Sequence, residues 1–131
     1  VLVGSSFMYA SARDWARLGQ LMLNEGMLNG HRILSADWVH RSRWPNPSRN
    51  EPRYGYQFWL NGGGNNRRWP DLPGDAFAMM GNRSQVVMMI PSRQTVIVRL
   101  GWSTDGYPTS QRFASLLAAL DRTDGKGNAF R

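Results

Sequence analysis

The chain contains no cysteine. That removes disulfides, thiolate nucleophiles and cysteine-ligated metals together. It has two histidines, His31 and His40, and neither has an acidic cluster near it. No zinc-site pattern is present, and no cofactor is expected. No apolar run approaches the roughly 18 residues of a membrane-spanning helix, so no membrane association is expected. Gly62-Gly63-Gly64 is not followed by Gly-Lys-Ser or Gly-Lys-Thr, which excludes a phosphate loop there. Asp71, Asp75 and Asp105 stand singly between elements, and no pair of carboxylates reads as a glycosidase dyad.

Lysine is nearly absent as well. Fifteen of the sixteen cations are arginine, and Lys126 is the sole lysine. The net charge is +7. Two readings follow: an arginine-biased genome, or a basic face for an anionic polymer or substrate. The charge is spread along the chain rather than blocked. That favours the first reading and makes nucleic acid an unexpected partner. With 131 residues, 41% of them hydrophobic, the chain can bury one modest core. It begins at Val1 and runs straight into structured sequence, so it reads as cut from a longer polypeptide.

Ser11-Ala12-Arg13-Asp14 has the form of a capping box, and Trp15, Leu18, Leu21 and Met22 follow at helical spacing. This helix is expected to stop at Gly26, with a turn-rich connection from Met27 to Leu34. Ser35 caps a second, short helix that ends before Pro45. Pro45, Pro47 and Pro52 mark the stretch 43–53 as a loop. Tyr54-Gly55-Tyr56-Gln57-Phe58-Trp59 has strand composition. A glycine-rich loop leads past Trp69 to three strands, 76–80, 85–90 and 95–100, the last rich in β-branched residues. Their connections are too short for parallel crossovers, which predicts an antiparallel meander. The unbroken apolar runs predict cover on both faces. Thr109 caps a final helix carrying Phe113, Leu116, Leu117 and Leu120 on one face. Met79, Met80, Met88 and Met89 read as core. The fold class is α+β: a three-strand meander plus a further strand, packed by N-terminal and C-terminal helices. Residues 1–120 form the folded unit and 121–131 a polar, flexible tail.

The series Tyr9-Ala10-Ser11-Ala12-Arg13-Asp14-Trp15-Ala16-Arg17-Leu18-Gly19 resembles the Ala-Ser-x-x-Asp-x-Ala helix of serine β-lactamase-like hydrolases. That group includes class C β-lactamases, penicillin-binding-protein-related esterases and 6-aminohexanoate-oligomer hydrolases. Further segments resemble it in the same order: 29–35 with Trp38-Val39, then Tyr54-Gly55-Tyr56 with Trp59. Gly81-Asn82-Arg83-Ser84-Gln85, Ile90-Pro91-Ser92 and 96–101 follow. The resemblance covers about 4–120 and implies the C-terminal part of the β-lactamase/transpeptidase-like fold.

It also implies half an enzyme. The family's Ser-x-x-Lys nucleophile motif lies near the start of its domain, and no Ser-x-x-Lys can be written in this sequence. A serine needs a base within hydrogen-bond reach to attack at neutral pH. Tyr9-Ala10-Ser11 matches the family's Tyr-x-Ser pattern literally. Ser11 is already occupied as a helix cap, however, and the following residues match a segment downstream of the catalytic tyrosine. The family's late Lys-Thr-Gly or His-x-Gly strand corresponds to Gly81-Asn82-Arg83-Ser84-Gln85. These five are the candidate substrate-binding residues, with Asn82 and Ser84 as cleft-lining candidates. Asn82 falls where His or Lys is usual, and Ser84 where Gly is usual. A plain hairpin turn is the competing reading of this stretch.

The expected function is therefore the C-terminal segment of a serine hydrolase. The parent would hydrolyse an ester, amide or β-lactam small molecule through an acyl-enzyme, and this chain alone would be inactive. Its expected partner is the missing N-terminal segment, and an exposed sheet edge would favour self-association. The resemblance implies a bacterial protein, with periplasm and cytoplasm both open. The alternative is a non-catalytic module rich in Arg and aromatic residues that binds an anionic polymer or a partner protein. Arg67, Arg68 and Trp69 with Tyr54 and Tyr56 would be its platform.

Overall fold

The structure, a computed structural model, describes residues 8–48, 51–62 and 66–127. The opening Val1-Leu2-Val3, part of the 43–53 loop, the centre of the glycine-rich loop and the last four residues of the tail lie outside them.

Helix α1 spans Ala12–Leu23. The Ser11 hydroxyl accepts from the Asp14 amide at 3.2 Å and donates to the Asp14 carboxylate at 2.6 Å. That hydroxyl, with Arg17 beside it, holds the Asp14 carboxyl below its ordinary range. The cap also satisfies one of the helix's orphan amides. Past Gly26 the chain forms a small hairpin, β1 (Met27–Leu28) against β2 (His31–Arg32). Asn29 and Gly30 both have positive φ, the combination a type I′ turn requires. The sequence reading has only a connection here. Gly26, at φ +85°, sits so close to Leu34 that a Cβ would lie 2.2 Å from the Leu34 carbonyl oxygen. Helix α2 (Ala36–Ser42) follows, with the Ser35 hydroxyl accepting from the Trp38 amide at 3.2 Å.

The main sheet is antiparallel in the order β3-β4-β5-β6. Its strands are β3 (Trp59–Leu60), β4 (Phe77–Met80), β5 (Val86–Ile90) and β6 (Thr95–Arg99). The expected meander is present as β4, β5 and β6, and the α+β class holds. The further strand is shorter than its composition suggests. Tyr54 makes a single bridge to Trp59, and the backbone between them folds back on itself. The Gly55 amide donates to Phe58 O at 2.8 Å and the Tyr56 amide to Ser42 O at 3.1 Å. The first bond closes a local turn and the second commits Tyr56 to the α2 end, so neither amide extends a ladder.

All of β5 is buried. Val87 and Met89 face α1 with Met22 and Phe77, whereas Val86, Met88 and Ile90 face α3 with Phe113 and Leu117. The period-2 alternation is thus invisible in the sequence because both faces are covered. Each such side chain contributes about 1.5–3 kcal/mol on burial. Helix α1 lies across β5 and β6. Gly19 makes the contact: a Cβ there would lie 2.6 Å from Val96 Cγ1.

Helix α3 spans Thr109–Gly127, so its last turns take in residues that the sequence reading leaves to a tail. Thr109 does not cap by accepting a bond; its hydroxyl donates back to Tyr107 O at 3.3 Å. Only Phe113 and Leu117 of the four expected apolar positions are buried, while Leu116 and Leu120 stay about half exposed. At 100° per residue Leu116 sits on the flank of the face defined by Phe113 and Leu117, whereas Leu120 falls within about 20° of Phe113. Met80, at the end of β4, is likewise exposed rather than core.

The long connection between β3 and β4 hangs on Asn61, which is fully buried. Its Nδ2 donates to the carbonyls of Trp69, Leu72 and Pro73 at 3.0, 3.2 and 2.9 Å. Its Oδ1 accepts from the Trp69 amide at 2.7 Å. One side chain thereby replaces the regular backbone pairing this stretch does not have.

Candidate functional site

Residues 81–85 are the connection between β4 and β5, whose pairing closes at Met80↔Val86. The Gly81 amide donates to Gln85 O at 2.8 Å, and the Gln85 amide donates to Asn82 O at 3.3 Å, closing a tight turn over residues 82–85. The five candidate residues are therefore contiguous in space, on a tight turn at one end of the sheet. Arg83 (φ 58°, ψ 36°) and Ser84 (φ 61°) both adopt left-handed backbone conformations. Two successive left-handed residues are also what a type I′ hairpin turn requires, as at Asn29-Gly30, so the backbone here has the form of the plain hairpin turn; non-glycine residues hold it at a cost.

Arg99, the last residue of β6, supplies that support. Its Nη1 donates to Ser84 O at 2.6 Å, to Gly101 O at 2.9 Å and to Arg83 O at 3.4 Å. Its Nη2 donates to Ser103 Oγ at 2.7 Å. The guanidinium plane lies 3.9 Å from the Tyr107 ring centroid. The Ser103 amide adds a further bond to Arg83 O at 3.1 Å. Arg99 therefore ties the 81–85 turn to the 101–107 loop through backbone oxygens. The Arg83 guanidinium lies 5.7 Å from the ring of Trp102, in that same 101–107 loop, and Trp102 is 78% exposed.

The turn presents the Asn82 amide, the Ser84 hydroxyl and the Arg83 cation. Neither the Asn82 amide nor the Ser84 hydroxyl bonds to another described side chain or backbone group. Among the described residues no histidine or carboxylate is paired with Ser84. His40 is engaged elsewhere, with its Nε2 3.1 Å from Glu25 Oε1, and His31 is exposed on β2. Among the described residues no three His, Cys, Asp or Glu side chains come together as a metal set. No described helix is long and apolar enough to cross a membrane. Sequence reasoning missed Arg99, Ser103 and Tyr107. The available signal was a single charge, Arg99, ending the otherwise apolar run Val96-Ile97-Val98.

The expected Arg-aromatic platform does not form as written. Trp69 is 4% exposed and belongs to the α3-side core. Arg68 instead lies 4.0 Å over the Trp59 ring, and Tyr54 meets Trp59 edge-on at 4.7 Å. Beside them Glu51 takes Arg53 in a two-pronged bond, Nε to Oε1 at 2.8 Å and Nη2 to Oε2 at 3.0 Å. The Arg53 side-chain bonds, reinforced by the Arg53 amide, pull the Glu51 carboxyl from its ordinary 4.5 down to about 2. Burial pushes the Arg68 guanidinium below its ordinary range, and its Nε is buried without a partner. This cluster is an internal clamp on the β3 region more than an open binding face.

Compared with known proteins, the chain matches no family model and no curated protein.

Proposed function

We propose that this chain is the C-terminal part of a serine β-lactamase-like hydrolase and that its β4–β5 turn lines the reaction cleft. The observation that carries the reading is the supported strain at Arg83 and Ser84. Two adjacent left-handed residues are held by the half-buried Arg99 in the segment that resembles the family's late strand. Strained backbone held rigid by its surroundings is a recurrent property of functional sites. The antiparallel run β4-β5-β6 backed by a terminal helix also supports it.

In this scheme the parent hydrolyses an ester, amide or β-lactam. The missing N-terminal segment supplies the attacking hydroxyl and the base. The turn supplies hydrogen-bond donors and a fixed wall, with Asn82 and Ser84 facing substrate and Arg83 contributing positive charge. Strand β6 is the last strand of its sheet among the described residues, and the missing segment is its proposed partner. The rival reading, an anion-binding module, loses one of its five platform residues because Trp69 is interior.

Reading the frame upstream of Val1 tests this. A Ser-x-x-Lys followed by Tyr-x-Asn or Tyr-x-Ser supports the assignment. An upstream sequence without either motif overturns it.

A further inference from the structure

A cleft of about 340 Å³ opens at the start of β4, at the opposite end of that strand from the 81–85 turn. It plays no part in the hydrolase reading. Its volume falls within the roughly 300–1,000 Å³ typical of small-ligand sites. Leu60, Ala76 and Phe77 form an apolar, buried floor, and the largely exposed Trp44 stands at the wall.

The polar side of the cleft is Arg43, whose guanidinium lies 5.3 Å from the Phe77 ring centroid. Its Nη2 donates to His40 Nδ1 at 3.2 Å. Arginine has only protons to give, so Nδ1 accepts and the imidazole proton sits on Nε2. That proton points at Glu25 Oε1, 3.1 Å away. The chain Glu25–His40–Arg43 thus positions the guanidinium through the imidazole. Nε and Nη1 of Arg43 take no partner among the described residues. Asp75, the carboxylate lining the cleft, spends both oxygens on Ser92, bonding its amide at 2.6 Å and its hydroxyl at 2.9 Å.

We propose that this cleft binds a small aromatic carboxylate. The carboxylate takes the unused edge of Arg43, and the ring lies between Trp44 and the apolar floor. A neutral aromatic leaves the guanidinium edge unpaired, and a small hydrophilic anion leaves the exposed Trp44 ring uncovered. A cation meets Arg43 with the Asp75 oxygens already engaged.

Benzoate titrated into the 131-residue chain, followed by amide chemical shifts, is the test. Saturable shifts are expected at residues 43–45 and 75–77, with a Kd on the order of 1 mM for so small a ligand. Benzamide and acetate at the same concentrations give none. Arg43→Gln weakens binding by about tenfold through the lost charged hydrogen bond. Trp44→Ala, an exposed substitution that leaves the far-ultraviolet circular dichroism unchanged, weakens it by a similar factor. Absent or non-saturating shifts, equal binding of benzamide, or undiminished affinity in Trp44→Ala overturns the proposal.

Discussion

Arg99 Nη1 lies 2.6 Å from the carbonyl oxygen of Ser84, across the end of the sheet from β6 to the β4–β5 turn. This bond joins the last residue of one strand to the strained residue of a neighbouring turn. The same guanidinium also reaches Gly101, Ser103 and the face of Tyr107. The shape of the turn is therefore set from beneath by a residue fifteen positions away in sequence.

Arg99→Ala is expected to destabilise the chain by about 2–3 kcal/mol, because several carbonyls lose a charged donor at once. Arg99→Lys recovers little, since an ammonium cannot serve a fork of oxygens and stack on a ring together. Arg83→Ala, at an exposed position, changes stability by less than about 0.5 kcal/mol. Urea unfolding of the three variants checks the ranking.

Asn61→Asp exchanges a donor for an acceptor in front of three carbonyl oxygens. A loss of about 3 kcal/mol or more is expected, the range for a buried polar group left without its partners. Asn61→Leu should cost less than the aspartate because it adds no buried charge, though the carbonyls are still abandoned. Midpoints of denaturant unfolding order the two.

Gly19→Ala improves helix propensity by about 1 kcal/mol, yet the added methyl would lie 2.6 Å from Val96 Cγ1. Valine is stiff at χ1 and cannot swing away. A net loss of about 1–2 kcal/mol is expected from overpacking. Val96→Ala should relieve it, so the double variant is more stable than the sum of the single losses predicts. A thermal-melt cycle over the four proteins measures that coupling.

The Glu51 carboxyl titrates at about 2 rather than its ordinary 4.5. A carboxyl lowered on folding favours the native state at pH above its unfolded value. That contribution drains away as the pH falls from 4.5 towards 2. A carbon-13 titration should place the Glu51 midpoint near 2, and Arg53→Gln should return it towards 4.5. An unshifted wild-type midpoint would contradict the two-pronged pairing.

The α1 cap, the three meander strands and the buried pair Phe113 and Leu117 are legible in the residues, because cap chemistry and apolar runs are local signals. The stretch from Tyr54 to Trp59 misleads because its aromatics suit a strand. The amides of Gly55 and Tyr56 are claimed by Phe58 and Ser42, a tertiary choice no window of sequence contains. The hairpin at Asn29-Gly30 carries the right turn dipeptide but has strands too short to announce themselves. The candidate turn 81–85 is contiguous, so its location was readable. Its left-handed backbone and its dependence on Arg99 were not, because both arise where β6 and the 101–107 loop close on it.

Hydrolysis of a chromogenic ester and a chromogenic cephalosporin by the purified 131-residue chain tests the central proposal most directly. No turnover above background is expected, since the proposal places the nucleophile and base outside these 131 residues. Turnover by this chain alone that disappears in Ser84→Ala would contradict it.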